Sequence, residues 1–289
     1  GHSTDETRKI INAYRRNYRF IRILENPQRS VPKAMNLGIA AARGEVIIRM
    51  DAHCTYEASY ISSCLESLKH TQADNVGGPM RAVGTNYQGK AIAAAHHSAF
   101  GLGGGKFHDD QCEGYVDTVY LGAFRKEIFR RVGFYNERLA RNQDIELNSR
   151  IIRQGGRIYL NPKTKSYYYS RSRLTDLWKQ NFENGKWCVY TMFVNRNALS
   201  LRHFVPLLFV SCLISLTLLG LMITFFKTLL IMAFASYSLC ACAFAAQAGL
   251  KKGIRFIPFL PVVFGVLHVS YGIGSLHGLL TVRKWLKSK

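Results

Sequence analysis

The strongest constraint on this chain lies in its last third. From Leu201 to Lys289 there is no Asp or Glu, and the only ionisable cations are nine Lys or Arg. Three long apolar runs, 203–226, 228–250 and 256–280, fill this stretch. Each comes near the ~20 residues that a helix needs to cross ~30 Å of hydrocarbon. Soluble proteins bury single helices this apolar; three in succession with so few charges point to a membrane region.

The flanking cations orient it. Arg196 and Arg202 precede the first run, Lys251, Lys252 and Arg255 follow the second, and Lys227 alone marks the turn between them. Cytoplasmic loops are enriched in Lys and Arg, so a hairpin with both ends cytoplasmic is expected. The third run ends in Arg283, Lys284, Lys287 and Lys289, which a full crossing would carry to the far side. Its Pro258, Pro261 and glycines permit a tilted or re-entrant path instead, and the sequence leaves both open.

The whole chain has 289 residues, 48% of them apolar, and a formal net charge of +21 from 39 Lys+Arg against 18 Asp+Glu. The cationic excess runs through both halves and is not gathered into one arm. That favours membrane lipids and phosphorylated substrates over nucleic acid, and no nucleic-acid partner is expected. The seven cysteines form no CxxC pair and three lie in apolar runs. They read as reduced thiols of a cytoplasm-facing protein, not as a disulfide framework or a zinc site.

Residues 1–170 alternate strand-like and helix-like runs, the pattern of an α/β domain. Phe20–Leu24, Val46–Met50 and Val116–Leu121 read as strands. Lys33–Ala42, behind Pro32, reads as a helix, as do Tyr60–Lys69 and Asp144–Gln154, the last capped by Asn142 and stopped by Gly155-Gly156. Residues 171–202 form a juxtamembrane segment, with an amphipathic helix over Leu174–Asn195. Residues 203–289 form the membrane region, of two to three helices.

Asp51 closes the run Val46-Ile47-Ile48-Arg49-Met50, and His53 follows two residues later. In an extended backbone the two point the same way, and a carboxylate with an imidazole can hold a divalent metal that in turn holds a diphosphate. A strand-end Asp that merely caps the next turn is the plainer account. Asp144, at a helix start, is favoured in its ionised form by the helix dipole, which suits a general base but also any N-terminal helix Asp. Glu146 is expected to face solvent or to support Asp144. The run Gly101-Leu102-Gly103-Gly104-Gly105-Lys106 lacks the strand-to-helix setting of a phosphate loop and fits a lid, an acceptor loop or a linker equally. His96, His97, His108 and Cys112 match no zinc spacing. In Gln180–Trp187, Lys186 could meet a phosphate and Trp187 a sugar, or the segment could simply be an interfacial helix with a Trp anchor.

Together these strings resemble family 2 glycosyltransferases of the GT-A fold. Gly1-His2-Ser3-Thr4-Asp5-Glu6-Thr7 resembles the end of the family's D-G-x-S-x-D-x-T motif. Asp51-Ala52-His53 stands at the D-x-D position, Asn142-Gln143-Asp144 at the E-D or T-E-D position, and Gln180–Trp187 resembles a loosened Q-x-x-R-W motif. Met50–Cys54, Asn75–Met80 and Val116–Arg125 narrow the resemblance to the succinoglycan-biosynthesis ExoA-like type, over nearly the whole chain.

The resemblance implies an inverting transfer of glucose from UDP-glucose to an undecaprenyl-diphosphate-linked sugar, in bacterial exopolysaccharide synthesis, at the inner membrane with the catalytic domain cytoplasmic. It makes Asp144 the catalytic base and Asp51 with His53 the ligands of Mg²⁺ or Mn²⁺. Ser3, Asp5, Lys33, Asn36 and Asp51 would meet the nucleotide. Gly122, Ala123, Gln143, Asp144, Lys186 and Trp187 would meet the acceptor. Three departures stand out: His53 replaces the second Asp, Gln143 replaces the acidic residue before the base, and the first strand with its acidic residue is expected to precede Gly1. The alternative is a truncated or degenerate membrane protein that binds a sugar nucleotide without turnover.

Overall fold

In the computed structural model, which describes residues 3–288, the chain opens with α1 (Thr7–Asn17), α2 (Val31–Ala41), β1 (Val46–Ile48), β2 (Cys54–Tyr56) and α3 (Tyr60–Thr71). There follow β3 (Asn75–Gly78), β4 (Arg81–Val83), α4 (Tyr87–His96), α5 (Ala99–Leu102), β5 (Gly114–Tyr115), β6 (Tyr120–Arg125) and α6 (Ile128–Val132). The sheet-bearing part closes with α7 (Gln143–Arg153), β7 (Ile158–Leu160), β8 (Ser166–Tyr169) and α8 (Leu174–Val194), and α9 (Val205–Gly220), α10 (Thr224–Lys252) and α11 (Leu260–Lys287) follow.

The main sheet is mixed, in the order β1-β6-β3-β7-β5. β6 runs antiparallel to both β1 and β3, while β3 and β7 are parallel. A second sheet, β2-β8-β4, stands beside it. Apolar faces of α2, α6 and α7 cover one side through Ile39, Ile128, Leu147 and Ile151. Tyr60, Cys64 and Leu68 of α3 pack with Val76 and Ala123 in a separate cluster.

Several expected elements are present with small shifts. Pro32 sits in the first turn of α2, where its missing N–H costs nothing. Gly155, at φ +74°, follows α7 in the left-handed conformation that glycine adopts without strain. Two strand expectations need correction. Phe20–Leu24 pairs with no strand among the described residues, and Phe20 is 81% exposed. Val116–Leu121 is not one strand: Val116 N–H bonds to Ile158 O at 3.0 Å, the chain then leaves the ladder, and β6 begins only at Tyr120. Leu121 there has φ +52°, opposite a register shift between Val76 and Gly78, so an irregularity takes the place of a continuous strand.

The three C-terminal helices are long and apolar enough to cross a membrane. Their surroundings differ. Only 6% and 11% of the apolar windows of the first two are buried, against 44% in α11. Small side chains explain what α11 touches. Ala91, Ile92 and Ala95 of α4 pack against Leu260, Val263 and Phe264 of α11 and Ala241, Ala245 and Ala248 of α10. Along α8, Gly185 meets the Tyr271 backbone, Gly274 meets Phe182, and Gly278 meets Lys186. α8, expected as an amphipathic lead-in, is thus a buried partner of α11, with Leu177, Asn181, Gly185, Cys188 and Val189 all inside.

Candidate functional site

β1 delivers Arg49 and Asp51 to the edge of the main sheet. Arg49 N–H continues the ladder to Gly122 O at 3.1 Å. The chain then turns, and Tyr56 closes the turn: its hydroxyl accepts from Asp51 N–H at 2.5 Å and donates to Asp51 O at 3.0 Å. This turn, and not the extended backbone expected, brings His53 Nε2 to 3.9 Å from Asp51 Oδ2. The His53 ring stands edge-on to Tyr168, with centroids 5.6 Å apart, and most of its side chain is open to solvent.

Arg49 grips Asp51 with two hydrogen bonds, Nε to Oδ1 at 2.8 Å and Nη2 to Oδ2 at 2.9 Å. Burial works against the guanidinium charge, but the bonds to Asp51 and the fields of Asp144 and Asp51 more than offset it, and the pKa is raised. Asp144, at the start of α7, thus contributes to the electrostatic surroundings of Arg49 without bonding to it. Tyr135 lies in the same field; its buried hydroxyl has no hydrogen-bond partner among the described residues, and burial raises its pKa.

Asp144 is half-exposed in the first turn of α7. Asn142, just ahead of it, holds φ +59° and caps the helix through its backbone, accepting Glu146 N–H at 3.0 Å. Gln143 is buried, and its Oε1 finds no partner among the described residues. Of the two places expected for Glu146, facing solvent or supporting Asp144, the first is excluded: it is 3% exposed, ion-paired with Arg150 at 2.9 Å and bonded by Asn195 Nδ2 at 3.3 Å.

A cationic rim completes the group. Arg171 donates to Gln180 Oε1 at 3.0 Å, and Gln180 donates to the Tyr168 hydroxyl at 3.0 Å, beside His53. Arg141 donates to Asn184 Oδ1 at 2.7 Å; its pKa is lowered by burial, with Glu183 pulling the other way and Arg171 reinforcing the drop. Arg141, half-buried, and Arg171, exposed, are engaged by amide oxygens and not by direct carboxylate pairs among the described residues, which leaves them available to a diphosphate. Composition hid Arg49, Arg141 and Arg171 among many basic residues. The signal for Arg49 was its place, a charge inside the apolar run that ends at Asp51.

The remaining expected site residues are placed elsewhere or already engaged. Lys186 bonds Glu183 Oε1 at 2.6 Å, and Trp187 Nε1 donates to Glu183 Oε2 at 3.2 Å while its ring packs on Tyr190 and Trp285. Gly122 and Ala123, expected to line the acceptor site, are buried inside β6; a Cβ on Gly122 would strike Asn75 and Phe124, so this glycine serves strand packing. Asn36 exchanges both side-chain groups with the Tyr135 backbone, at 3.0 and 2.9 Å, and so fixes the segment before Asn142. Lys33 is half-buried and forms no ion pair among the described residues. Asp5 accepts Thr7 N–H at 3.1 Å; the Thr7 side chain first and this backbone bond second lower its pKa, and neither it nor Ser3 bonds to the Asp51 group among the described residues.

No cluster of three or more His, Cys, Asp or Glu is present among the described residues. Asp51 and His53 offer the donor types that a Mg²⁺ or Mn²⁺ ion can take, a carboxylate and an exposed imidazole. Ligands ~2.1 Å from an octahedral ion lie ~3.0 Å apart when adjacent and ~4.2 Å when opposite, and such ions commonly take one or two protein ligands and fill the rest from phosphates and water. The 3.9 Å separation matches neither value, and both Asp51 oxygens accept from Arg49, so holding an ion here requires the exposed His53 ring to move and Arg49 to release one oxygen.

Residues 1–133 match the family model described as glycosyl transferase family 2. The chain is 28% identical over 286 residues to the succinoglycan biosynthesis protein ExoA of Rhizobium meliloti (strain 1021), covering 98% of this chain and 85% of that protein. It is 26% identical over 231 residues to the dolichyl N-acetyl-alpha-D-glucosaminyl phosphate 3-beta-D-2,3-diacetamido-2,3-dideoxy-beta-D-glucuronosyltransferase of Methanococcus voltae, covering 77% of this chain and 71% of that one. The solved structure of S. aureus TarS 1-349 in complex with UDP-GlcNAc aligns with 98% of this chain and 80% of its own, at 13% identity and a TM-score of 0.47.

Proposed function

We propose that the chain is a family 2 glycosyltransferase that transfers a sugar, with inversion, from a UDP-sugar to a sugar carried on a lipid diphosphate; the family match over residues 1–133 and the apolar C-terminal helices support this reading. The donor we favour is UDP-glucose and the carrier undecaprenyl diphosphate, in exopolysaccharide synthesis at the bacterial inner membrane. Two relatives support the coarser part of this by name, one a succinoglycan biosynthesis protein and one a glucuronosyltransferase acting on a dolichyl phosphate-linked sugar. The cations on both sides of the α9–α10 hairpin support a cytoplasmic catalytic domain.

The observation that carries the mechanism is the two-bond pair of Arg49 with Asp51 at the end of β1, beside the cations Arg141 and Arg171. The acceptor hydroxyl attacks the anomeric carbon; the new C–O bond forms as the bond to the nucleotide diphosphate breaks. Asp144 takes the hydroxyl proton. Arg49, Arg141 and Arg171 stabilise the charge on the departing diphosphate. One displacement turns an α-linked donor into a β-glycoside. Mg²⁺ or Mn²⁺ held by Asp51 and His53 would add Lewis-acid charge at the same diphosphate.

Asp144→Asn tests the base. The exchange keeps shape and removes basicity, so turnover should fall ~10²–10⁴-fold while UDP-sugar binding stays within about twofold of the parent chain. Near-normal turnover would remove Asp144 from this role.

A further inference from the structure

Between the catalytic domain and the membrane helices lies a cavity of about 860 Å³, within the ~300–1,000 Å³ range of small-ligand pockets. Arg49, Asp51 and His53 do not line it, so it is not the diphosphate site described above. Asn142 and Ile145 do, and these flank the turn that carries Asp144. One wall is apolar and comes from α9, through Val205, Pro206 and Phe209, and from α11, through Leu267. The opposite wall is the glycine loop, 101–105, together with His108.

We propose that this cavity seats the head-proximal part of an isoprenoid diphosphate, with Arg202 holding the phosphate and the Phe209–Leu267 wall holding the first isoprene units. The inference rests on the reading above that the acceptor is lipid-linked, and it assigns that acceptor a binding site. Arg202 is on the lining and only one-third exposed. Its partner, Asp117 at 3.1 Å, is 59% exposed; such a pair is worth little and gives way readily to a phosphate. A Cβ on Gly105 would stand 3.4 Å from Arg202 Nη1 and 3.1 Å from the Phe107 ring, so the glycine leaves the guanidinium room under the loop. Gly103 and Gly104 hold φ of +74° and +65°, the left-handed turn that lets the loop fold over the cavity. His108 presents a buried Nδ1 with no partner among the described residues, and burial drives its pKa down to about 3, so it offers a neutral ring to the ligand. The lipid-facing surfaces of α9 and α10 start directly beside the apolar wall. A chain leaving the cavity there stays in the bilayer while its sugar reaches Asp144.

The test uses the full chain in lipid nanodiscs with a photoactivatable isoprenoid diphosphate, labelled in its second isoprene unit and carrying no sugar. Adducts should map to Leu199–Phe209 and Phe264–Tyr271, and unlabelled polyprenyl diphosphate should compete while inorganic diphosphate at the same concentration should not. Arg202→Gln should cut labelling by ~10-fold or more, the usual effect of losing a hydrogen bond to a charged group. Asp117→Asn, which frees Arg202, should keep or raise it. Adducts confined to the outward faces of α9 and α10, competition by inorganic diphosphate alone, or unchanged labelling in Arg202→Gln would overturn the proposal. UDP-sugar turnover is measured in parallel. Labelling at the cavity with no turnover of any UDP-sugar would refute the transferase reading and leave the lipid site standing. Turnover onto lipid acceptor with no labelling there would do the reverse.

Discussion

The seam between α8 and α11 permits a test in which one chemical change is made at several places and only geometry varies. A Cβ on Gly185 would lie 2.9 Å from the Tyr271 carbonyl carbon, 3.0 Å from Ser275 N, and closer still to the Tyr271 oxygen. On Gly274 it would lie 2.7 Å from the Phe182 carbonyl carbon. On Gly265, in the same helix α11, it would meet nothing within 4 Å. Ordinary contact begins near 3.4 Å, so the first two substitutions force the helix backbones ~0.5 Å apart or more, with no flexible side chain to yield. Overpacking of this kind costs about 1–3 kcal/mol. Every Gly→Ala change in a helix also gains up to ~1 kcal/mol of propensity, but that gain is common to the series and cancels on comparison. Gly185→Ala and Gly274→Ala should therefore melt ~2–10 °C below Gly265→Ala. Trp187 and Trp285 lie across this seam with ring centroids 5.9 Å apart, so tryptophan emission in a thermal ramp reads it directly. If all variants melt within a degree of one another, the close approach of α8 and α11 is refuted.

Two further outcomes are expected. His53→Asp replaces a neutral ligand by a second carboxylate beside Asp51, and should lower the Mn²⁺ concentration for half-maximal turnover by ~10-fold; a requirement that does not move in a metal titration would take His53 out of the metal site. Lys287→Cys should react with a membrane-impermeant maleimide in inverted vesicles and not in intact cells, whereas Met222→Cys, in the turn between α9 and α10, should show the opposite pattern; labelling of Lys287→Cys in intact cells would refute the placement of α11 argued below.

Much of the fold was legible because it rests on local signals. Pro32, Asn142 and Gly155 mark helix ends by backbone chemistry that any context preserves, and α2, α3 and α7 appear within a few residues of their expected bounds. Asp51 and Asp144 were legible as strand-end and helix-start carboxylates. What the sequence hid were long-range partners. Nothing in the run from Val46 to Asp51 says that Arg49 folds back on Asp51 and senses Asp144, nor that Glu183 holds Lys186 and Trp187. Asn36 and Gly122 were read through motif position, but the structure uses one to clamp residue 135 and the other to let Asn75 and Phe124 close. Phe20–Leu24 shows the opposite error. Its alternation suits a strand, yet a strand exists only where a neighbour supplies the ladder.

Hydropathy could not separate α11 from α9 and α10, because an apolar side chain looks the same whether protein or lipid covers it. Packing does separate them. The N-terminal half of α11 lies on α4, and its C-terminal end returns to the catalytic domain: Trp285 stacks on Tyr190 with centroids 4.5 Å apart, and Arg138 covers Trp285 at 5.0 Å. A helix of 28 residues is ~42 Å long, enough to cross ~30 Å of hydrocarbon. Doing so here would drag α8 and Arg138 into the bilayer too, with Glu183 and Lys186, at ~2.5–3.5 kcal/mol for each charged side chain near its centre. The weaker demand is that α11 lies along the membrane-facing side of the domain, apolar toward α4 and α8 and cationic at the end that remains in water. Arg283, Lys284 and Lys287 then stay on the same side as Arg196 and Lys251, and the charge pattern that conflicted with a third crossing becomes consistent with a two-helix hairpin. On that arrangement α9 and α10 hold the chain in the bilayer, while α11 fixes the height and tilt at which Asp144, the proposed base, faces the proposed lipid-linked acceptor.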